Sequence, residues 1–410
     1  MSDEKDSLNG DFSPSLFFDS ISLDLTHYYL MNKDEVLLRF SVTNSLDSKY
    51  NIIRRYDVDC YNPFRKMTNN QFTFWLDNRA IPTNREHLDK LLASLNLTDK
   101  ERFNLLKLNH GCSLNDTFWI KEVNEKNLNG EDLTFKDVSL YRGFKEHLGL
   151  ITFFGNTDSL GGRIRTPEVT TQGMLRKAWR VIDEPSGKSI YLYKAGTYGF
   201  SNSGNENYSE VLAYEIAKLL GLNCVKYELD KWDGIDCCRS KLFTSEKVGY
   251  YSMSSILALR FGNSVKWTYS MVSSMLGDEH KQELNDMMVF DFIIENQDRH
   301  FGNFGLMIDN DSGEVLGLSP ILDNGYSLLN FETSYTFDDY DYYKSSIGTF
   351  GIPNISQATE IIKGNPRRYK HWAKTIMSHL DCLEVKGVPV DRVQAVKKLV
   401  TLRCKYIQTL

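Results

Sequence analysis

Between Glu283 and Gly325 the sequence switches from helical to strand periodicity around two acidic punctuation points, and any fold for the chain must accommodate that order. Leu284, Met287, Met288, Phe292 and Ile294 recur at helical spacing and predict a helix with one apolar side. It runs into the polar cluster Asn296-Gln297-Asp298-Arg299-His300. FGLMID (Phe304 to Asp309) then reads as a strand, Asn310 to Gly313 as a hairpin turn, and VLGLSPIL (Val315 to Leu322) as the returning strand. That strand delivers Asp323-Asn324-Gly325. The order is helix, acidic loop, hairpin, acidic turn.

Phosphoryl transfer requires this combination, because the protein's part in it is positioning and charge neutralisation. Asp298 suits the carboxylate that orients an attacking hydroxyl. Asn303, five residues on, suits an amide oxygen facing a metal, and Asp323 a carboxylate on magnesium. Asp-x4-Asn followed by Asp-x-Gly matches the catalytic loop and metal motif of kinases. Four fixed positions at about 5% usage each give roughly 10⁻⁵ per window, so a chance match in this chain falls under about one in a hundred. A merely polar helix end is the weaker reading. Arg299 and His300 are expected to brace the loop.

Upstream, Ser189 to Gly196 (SIYLYKAG) alternates as a strand and ends on Lys194, placed like a lysine that contacts nucleotide phosphates. Asn207 to Gly221 follows as a helix, capped by Asn207 or Ser209, on which Glu210 is the natural ion-pair partner. Glu168 to Asp183 reads as strand, turn, strand. Its turn, Thr170-Thr171-Gln172-Gly173, is expected either to lay backbone N–H groups over phosphates or to be an ordinary hairpin turn. It lacks a full G-x-G-x-x-G set.

Motif order divides the 410 residues into an α+β structural or partner-binding domain at 1–150, a small β-rich lobe at 151–245 and a helical lobe at 246–410. In the first, VLLRFSV (36–42) and FTFWL (72–76) read as strands, His87 to Leu108 as a helix, and Gly111 to Val123 as a turn and an aromatic strand. CVKYEL (Cys224 to Leu229) and CCRSKLFT (Cys237 to Thr244) read as strands. Beyond Ser245 the sequence reads as helical apart from a β insert at 304–322. Cys237 and Cys238 alternate faces on a strand, so at most one is expected to meet a core.

Lys and Arg total 48 against 54 Asp and Glu, a net charge of −6, without the basic stripe of a nucleic-acid binder. No apolar run approaches the about 20 residues that cross a bilayer. The acidic MSDEKDSLNGDFSPS start is no secretory signal, and seven cysteines lack C-x-x-C spacing. The expectation is a cytoplasmic protein with neither membrane nor direct nucleic-acid contacts.

TPEVTTQG (Thr166 to Gly173) with Lys177 and Trp179, YLYKAG, YSEVLAYEIAKLLG, NQDRHFGNFGLM and PILDNGYSLL together resemble the HipA-like serine/threonine kinases, bacterial proteins best known as toxins of toxin–antitoxin pairs. The resemblance spans roughly Thr166 to Leu410. SLNDTFWIK, ending at Lys121, is similar to a Gram-positive branch of that family. The resemblance implies a bilobal protein-kinase-like α+β fold, ATP and Mg²⁺, a protein substrate with a Ser or Thr acceptor, and an antitoxin partner. By it Asp298 is the catalytic base, Asn303 and Asp323 the magnesium ligands and Lys194 the nucleotide lysine. Leu242 to Ser245, with Phe243 and Thr244, is the hinge that grips adenine, and Thr170 or Thr171 the site of self-modification. A phosphatidylinositol-type lipid kinase and a kinase-shaped interaction module are the alternative readings.

Overall fold

The computed structural model describes residues 25–43, 52–57, 68–98, 102–156, 165–199, 201, 204–262 and 265–410. Strands β1 (Leu25–Asn32), β2 (Glu35–Thr43), β3 (Ile52–Asp57) and β4 (Phe118–Glu122) form an antiparallel sheet in the order β3-β2-β1-β4. Helices α1 (Asn69–Arg79) and α3 (Arg102–Leu108) pack on it, α2 (Leu88–Ser94) lying between them in sequence. Leu30, Leu38 and Phe40 meet Phe72, Leu76 and Leu106 in this core.

FTFWL, expected as a strand, therefore lies in α1. Phe72, Trp75, Leu76 and Arg79 are its buried residues, a helical spacing, and a capping box of Thr68 and Gln71 opens the helix. The single helix expected from His87 to Leu108 is two, the first ending at Ser94, with Leu95 as its C-cap before Asn96 turns left-handed (φ 53°). The short α4 (Phe135–Val138) and α5 (His147–Phe154) follow. The expected boundary at 150 falls inside α5, which sends Phe153 into the core of the next sheet.

That sheet is built from β5 (Lys177–Glu184), β6 (Gly187–Ala195), β7 (Tyr227–Trp232) and β8 (Ile235–Lys241) in the order β5-β6-β8-β7, with α6 (Asn205–Leu219) between β6 and β7 in sequence. The Glu184–Gly187 turn sets the β5–β6 register, placing Lys177 opposite Lys194 on one face. Both faces are covered. Phe153, Tyr193 and Trp232 enclose Cys237 on one side, while Val211, Val225 and Tyr227 enclose Cys238 on the other. The expectation that only one of the two thiols meets a core is thus corrected. Helix α6 starts earlier than expected, at Asn205 behind the left-handed Gly204, without a side-chain cap.

The helical lobe contains β9 (Val248–Ser252), α7 (Met253–Phe261), α8 (Tyr269–Ile294), β10 (Gly305–Asp309), β11 (Val315–Leu318), α9 (Asn354–Gly364), α10 (Pro366–His379) and α11 (Val390–Thr409). The hairpin β10–β11 appears where the sequence placed it, and β9 adds an unexpected third strand beside β10. Met287, Phe290 and Phe292 of α8 share the largest core with Leu212 of α6, Ile362 of α9, Trp372 of α10 and Val396 of α11. Among the described residues no helix is long and apolar enough to cross a membrane.

Candidate active site

Strand β6 ends by carrying Lys194 into the cleft between the lobes, and α6 places Glu210 behind it. Lys194 Nζ lies 2.7 Å from Glu210 Oε1 and also donates to Asp323 Oδ1. The second Glu210 oxygen accepts from the backbone N–H of Asn324 at 2.8 Å. One carboxylate thereby ties the lysine to the turn that bears Asp323. Asp323 itself sits in the left-handed region, φ 54°.

Helix α8 ends at the left-handed Glu295 (φ 49°), and the acidic loop follows. Arg299, 4% exposed, is its brace. Its Nε contacts Asp291 Oδ2 at 3.0 Å, Nη1 donates to the carbonyls of Asn303 (2.7 Å) and Leu322, and Nη2 to Asn324 Oδ1 (2.6 Å). A single buried guanidinium thus holds the Asp298 loop and the Asp323 turn together, the bracing role expected of it. Asn303 Nδ2 donates to the carbonyl of Asp298 at 3.0 Å, which orients the amide within the same loop. His300 is exposed, and its Nδ1 accepts from Gly302 N–H at 3.0 Å.

The cleft encloses about 730 Å³, and every expected site residue lines it except Glu210, which is fully buried behind Lys194. Phe243 and Thr244 lie along its rear, where the Thr244 hydroxyl donates to Leu114 O and Tyr250 N–H to Asn115 O at 2.6 Å. Ser113 to Asp116 of the N-terminal domain therefore forms a third wall of the cleft. Sequence reading gave that domain no part in the site.

Thr170, Thr171 and Gly173 also reach the cleft, but not as a turn between two strands. Glu168–Thr170 is a 3₁₀ turn, and only β5 follows it. The threonine hydroxyls supply the reason. Thr170 Oγ1 donates to Cys112 O (2.8 Å), and Thr171 Oγ1 donates to Pro167 O (2.9 Å) while accepting from Trp179 Nε1 (3.0 Å). Such local side-chain bonds compete with strand pairing. Both threonines are almost fully buried, with their hydroxyls engaged in these bonds.

Lys177 is the residue the candidate set lacked. It is buried, lines the cleft opposite Lys194, and has no carboxylate at ion-pair distance among the described residues. Gly173 faces the lysine's Nζ and holds φ 95°, a backbone conformation that side chains rarely adopt, so glycine suits this position. Burial pushes Lys177 down to about 7, Lys194 and Arg85 adding to the effect against Asp323. Burial also pushes Asp298 up. Burial would raise Asp323 as well, but Lys194 and Lys177 hold it well below the ordinary carboxylate range. Lys194, despite burial, is held well above its ordinary value by Asp323 and Glu210. The cleft therefore presents an ionised Asp323, a fixed ammonium at Lys194 and, at Lys177, a second amine that gains and loses its proton near neutral pH.

No group of three His, Cys, Asp or Glu side chains suited to a metal occurs among the described residues. A divalent ion here would take few protein ligands and keep the rest from phosphate and water, a habit of magnesium. Asp323, deprotonated, and the Asn303 amide oxygen fit that donor set.

A small antiparallel sheet with one helix, a larger helical lobe, and a lysine–glutamate pair facing acidic loops across the cleft define a protein-kinase-like α+β fold. Residues 169–397, more than half of the chain, match the model of the HipA-like C-terminal domain, and the chain belongs to that family. Among solved structures, the chain is similar to the HipA of a Shewanella oneidensis toxin–antitoxin system, described with HipB and its operator DNA. That match has 14% identity and a TM-score of 0.54, and covers 92% of this chain and 97% of that one. It is also similar to the Helicobacter pylori proinflammatory kinase CtkA, at 16% identity and a TM-score of 0.44, covering 57% of this chain and 90% of that one. No curated protein matches the sequence.

Proposed function

We propose that the chain is an ATP- and magnesium-dependent serine/threonine protein kinase of the HipA-like type, acting in the cytoplasm as the toxin of a toxin–antitoxin pair. The observation that carries this reading is Lys194, shared between Glu210 and Asp323 in a cleft that also holds Asp298 and Asn303. Lys194 and Lys177 bind phosphate oxygens, and Phe243 and Thr244 flank the adenine. Asp323 and Asn303 hold magnesium, which when bound offsets charge on the phosphates. Asp298 accepts a hydrogen bond from the acceptor hydroxyl and orients it. Arg299 keeps the two acidic segments at a fixed separation through the reaction.

The Shewanella HipA is described with HipB, and by that likeness an antitoxin protein is the proposed partner here. Purified protein with labelled ATP and magnesium, offered a bacterial lysate and phosphoinositides side by side, tests the reading. Label on protein at Ser or Thr supports it. Label on lipid alone selects a lipid kinase, and no nucleotide binding at all selects a kinase-shaped interaction module.

A further inference from the structure

The loop over the cleft, residues 169–177, is fastened to the N-terminal domain. Arg85, between α1 and α2, is 3% exposed. Its Nη1 donates to the carbonyls of Thr171 (3.4 Å) and Gly173 (3.3 Å), and its Nη2 to that of Lys177 (2.6 Å). Around this fork, Gln172 Nε2 donates to Asn78 O (2.8 Å) and Ala80 O (3.1 Å). Ile81 N–H donates to Val169 O (2.8 Å) and Glu86 N–H to Met174 O (2.9 Å).

Arg85 is an odd residue to bury for stability alone. The adjacent Glu86 is engaged by Arg176 at 3.2 Å, and Arg85 Nε has no hydrogen-bond partner among the described residues. A buried cation whose direct contacts are carbonyl dipoles, with Glu168 and Glu86 acting on it only through space, carries a desolvation cost that an apolar side chain would avoid. What the guanidinium provides, and an apolar residue cannot, is a rigid planar fork that gathers three carbonyls of one loop. Carbonyls turned toward Arg85 are turned away from an arriving phosphate, which their lone pairs would repel.

We propose that Arg85 is a positioning residue that fixes the Thr171–Lys177 loop where it receives the nucleotide's phosphates, so that affinity for the triphosphate is set partly from the N-terminal domain. The inference rests on the kinase reading. By linkage, ATP in the cleft also steadies the 78–86 segment of the N-terminal domain.

Calorimetry on the full chain and on Arg85→Met, titrated with Mg·ATP and separately with adenosine, tests it. Adenosine reaches the Phe243–Thr244 end without needing the loop. The variant should lose about tenfold in Mg·ATP affinity and less than about twofold in adenosine affinity, a split that general destabilisation would not give. Hydrogen exchange across 169–177 should rise in the same variant. Should Arg85→Met fail to fold, Gln172→Ala, at an exposed position, carries the test with a smaller shift in the same direction. An unchanged ratio of the two affinities overturns the proposal while leaving the kinase reading intact. A wild-type chain that binds no Mg·ATP overturns both.

Discussion

Raising the pH from 7 to 9 should weaken nucleotide binding, because Lys177 loses its proton over that interval. Its ammonium is pushed down to about 7 by burial, with Lys194 and Arg85 lowering it and Asp323 and Glu210 opposing them. A triphosphate beside it favours the charged form, so the bound-state pKa exceeds the free-state value. Below pH about 7 the charge is present in both states, and affinity should be flat. Above that, the free protein must take up a proton on binding, and affinity should fall by up to tenfold, about 1.4 kcal/mol, per pH unit until the bound-state pKa is reached. Two units therefore cost up to about a hundredfold. Calorimetry with Mg·ATP at pH 8, in buffers of different ionisation enthalpy, should register uptake of close to one proton. Lys177→Met should bind weakly at every pH and take up none. The protein's own stability should move the opposite way. A lysine depressed to about 7 binds fewer protons folded than unfolded between that value and its ordinary one, so unfolding free energy rises with pH across this window. A wild-type affinity that stays flat from pH 7 to 9, with heats independent of buffer, would refute the reasoning.

The remaining expectations concern single carboxylates. Asp298→Ala should lower phosphotransfer about 10²- to 10⁴-fold, the usual worth of a positioned base, and leave Mg·ATP affinity nearly unchanged in the same calorimeter. Asp323→Asn should abolish phosphotransfer in the labelled-ATP assay while thermal unfolding stays close to wild type; undiminished turnover at limiting magnesium would remove Asp323 from the metal site. Asp116→Ala should cost about 3–5 kcal/mol in denaturant unfolding, because it strands a buried guanidinium. Arg79 Nη1 and Nη2 grip Asp116 at 2.9 and 2.7 Å, both side chains being nearly inaccessible. A loss below about 1 kcal/mol would mean that water reaches Arg79.

What the sequence discloses is local. Glu283 to Gly325 could be read because its helix, loop, hairpin and turn are each specified by adjacent residues, and β6 with Lys194 because its side chains alternate cleanly. FTFWL misled because aromatics favour strands, although Thr68 and Gln71 in front of it were a readable helix start. The second buried thiol depended on what covers the other face of β8, and no residue near Cys237 states that. Lys177 stood in the sequence only as a carrier of the family resemblance, and its place in the cleft came from the β5–β6 register that sets it across from Lys194. Arg85 carries no motif at all, its partners lying 86 to 92 residues away. The wall formed by Ser113 to Asp116 is equally non-local, since Leu114 O is fixed by Thr244, 130 residues on.

The double covering of the β5–β8 sheet also shields Cys237 and Cys238 from oxidants, and other cores do the same for Cys112, Cys224 and Cys404. Burial pushes Cys112, Cys224, Cys237 and Cys404 up to about 12, and Cys238 higher still. At neutral pH each of these is almost wholly thiol, the form that peroxides and alkylating agents attack poorly. Among the described residues Cys382 alone is exposed. Just past α10 and outside the residues that line the cleft, it is therefore, among the described residues, the thiol that an electrophile or a labelling dye reaches first.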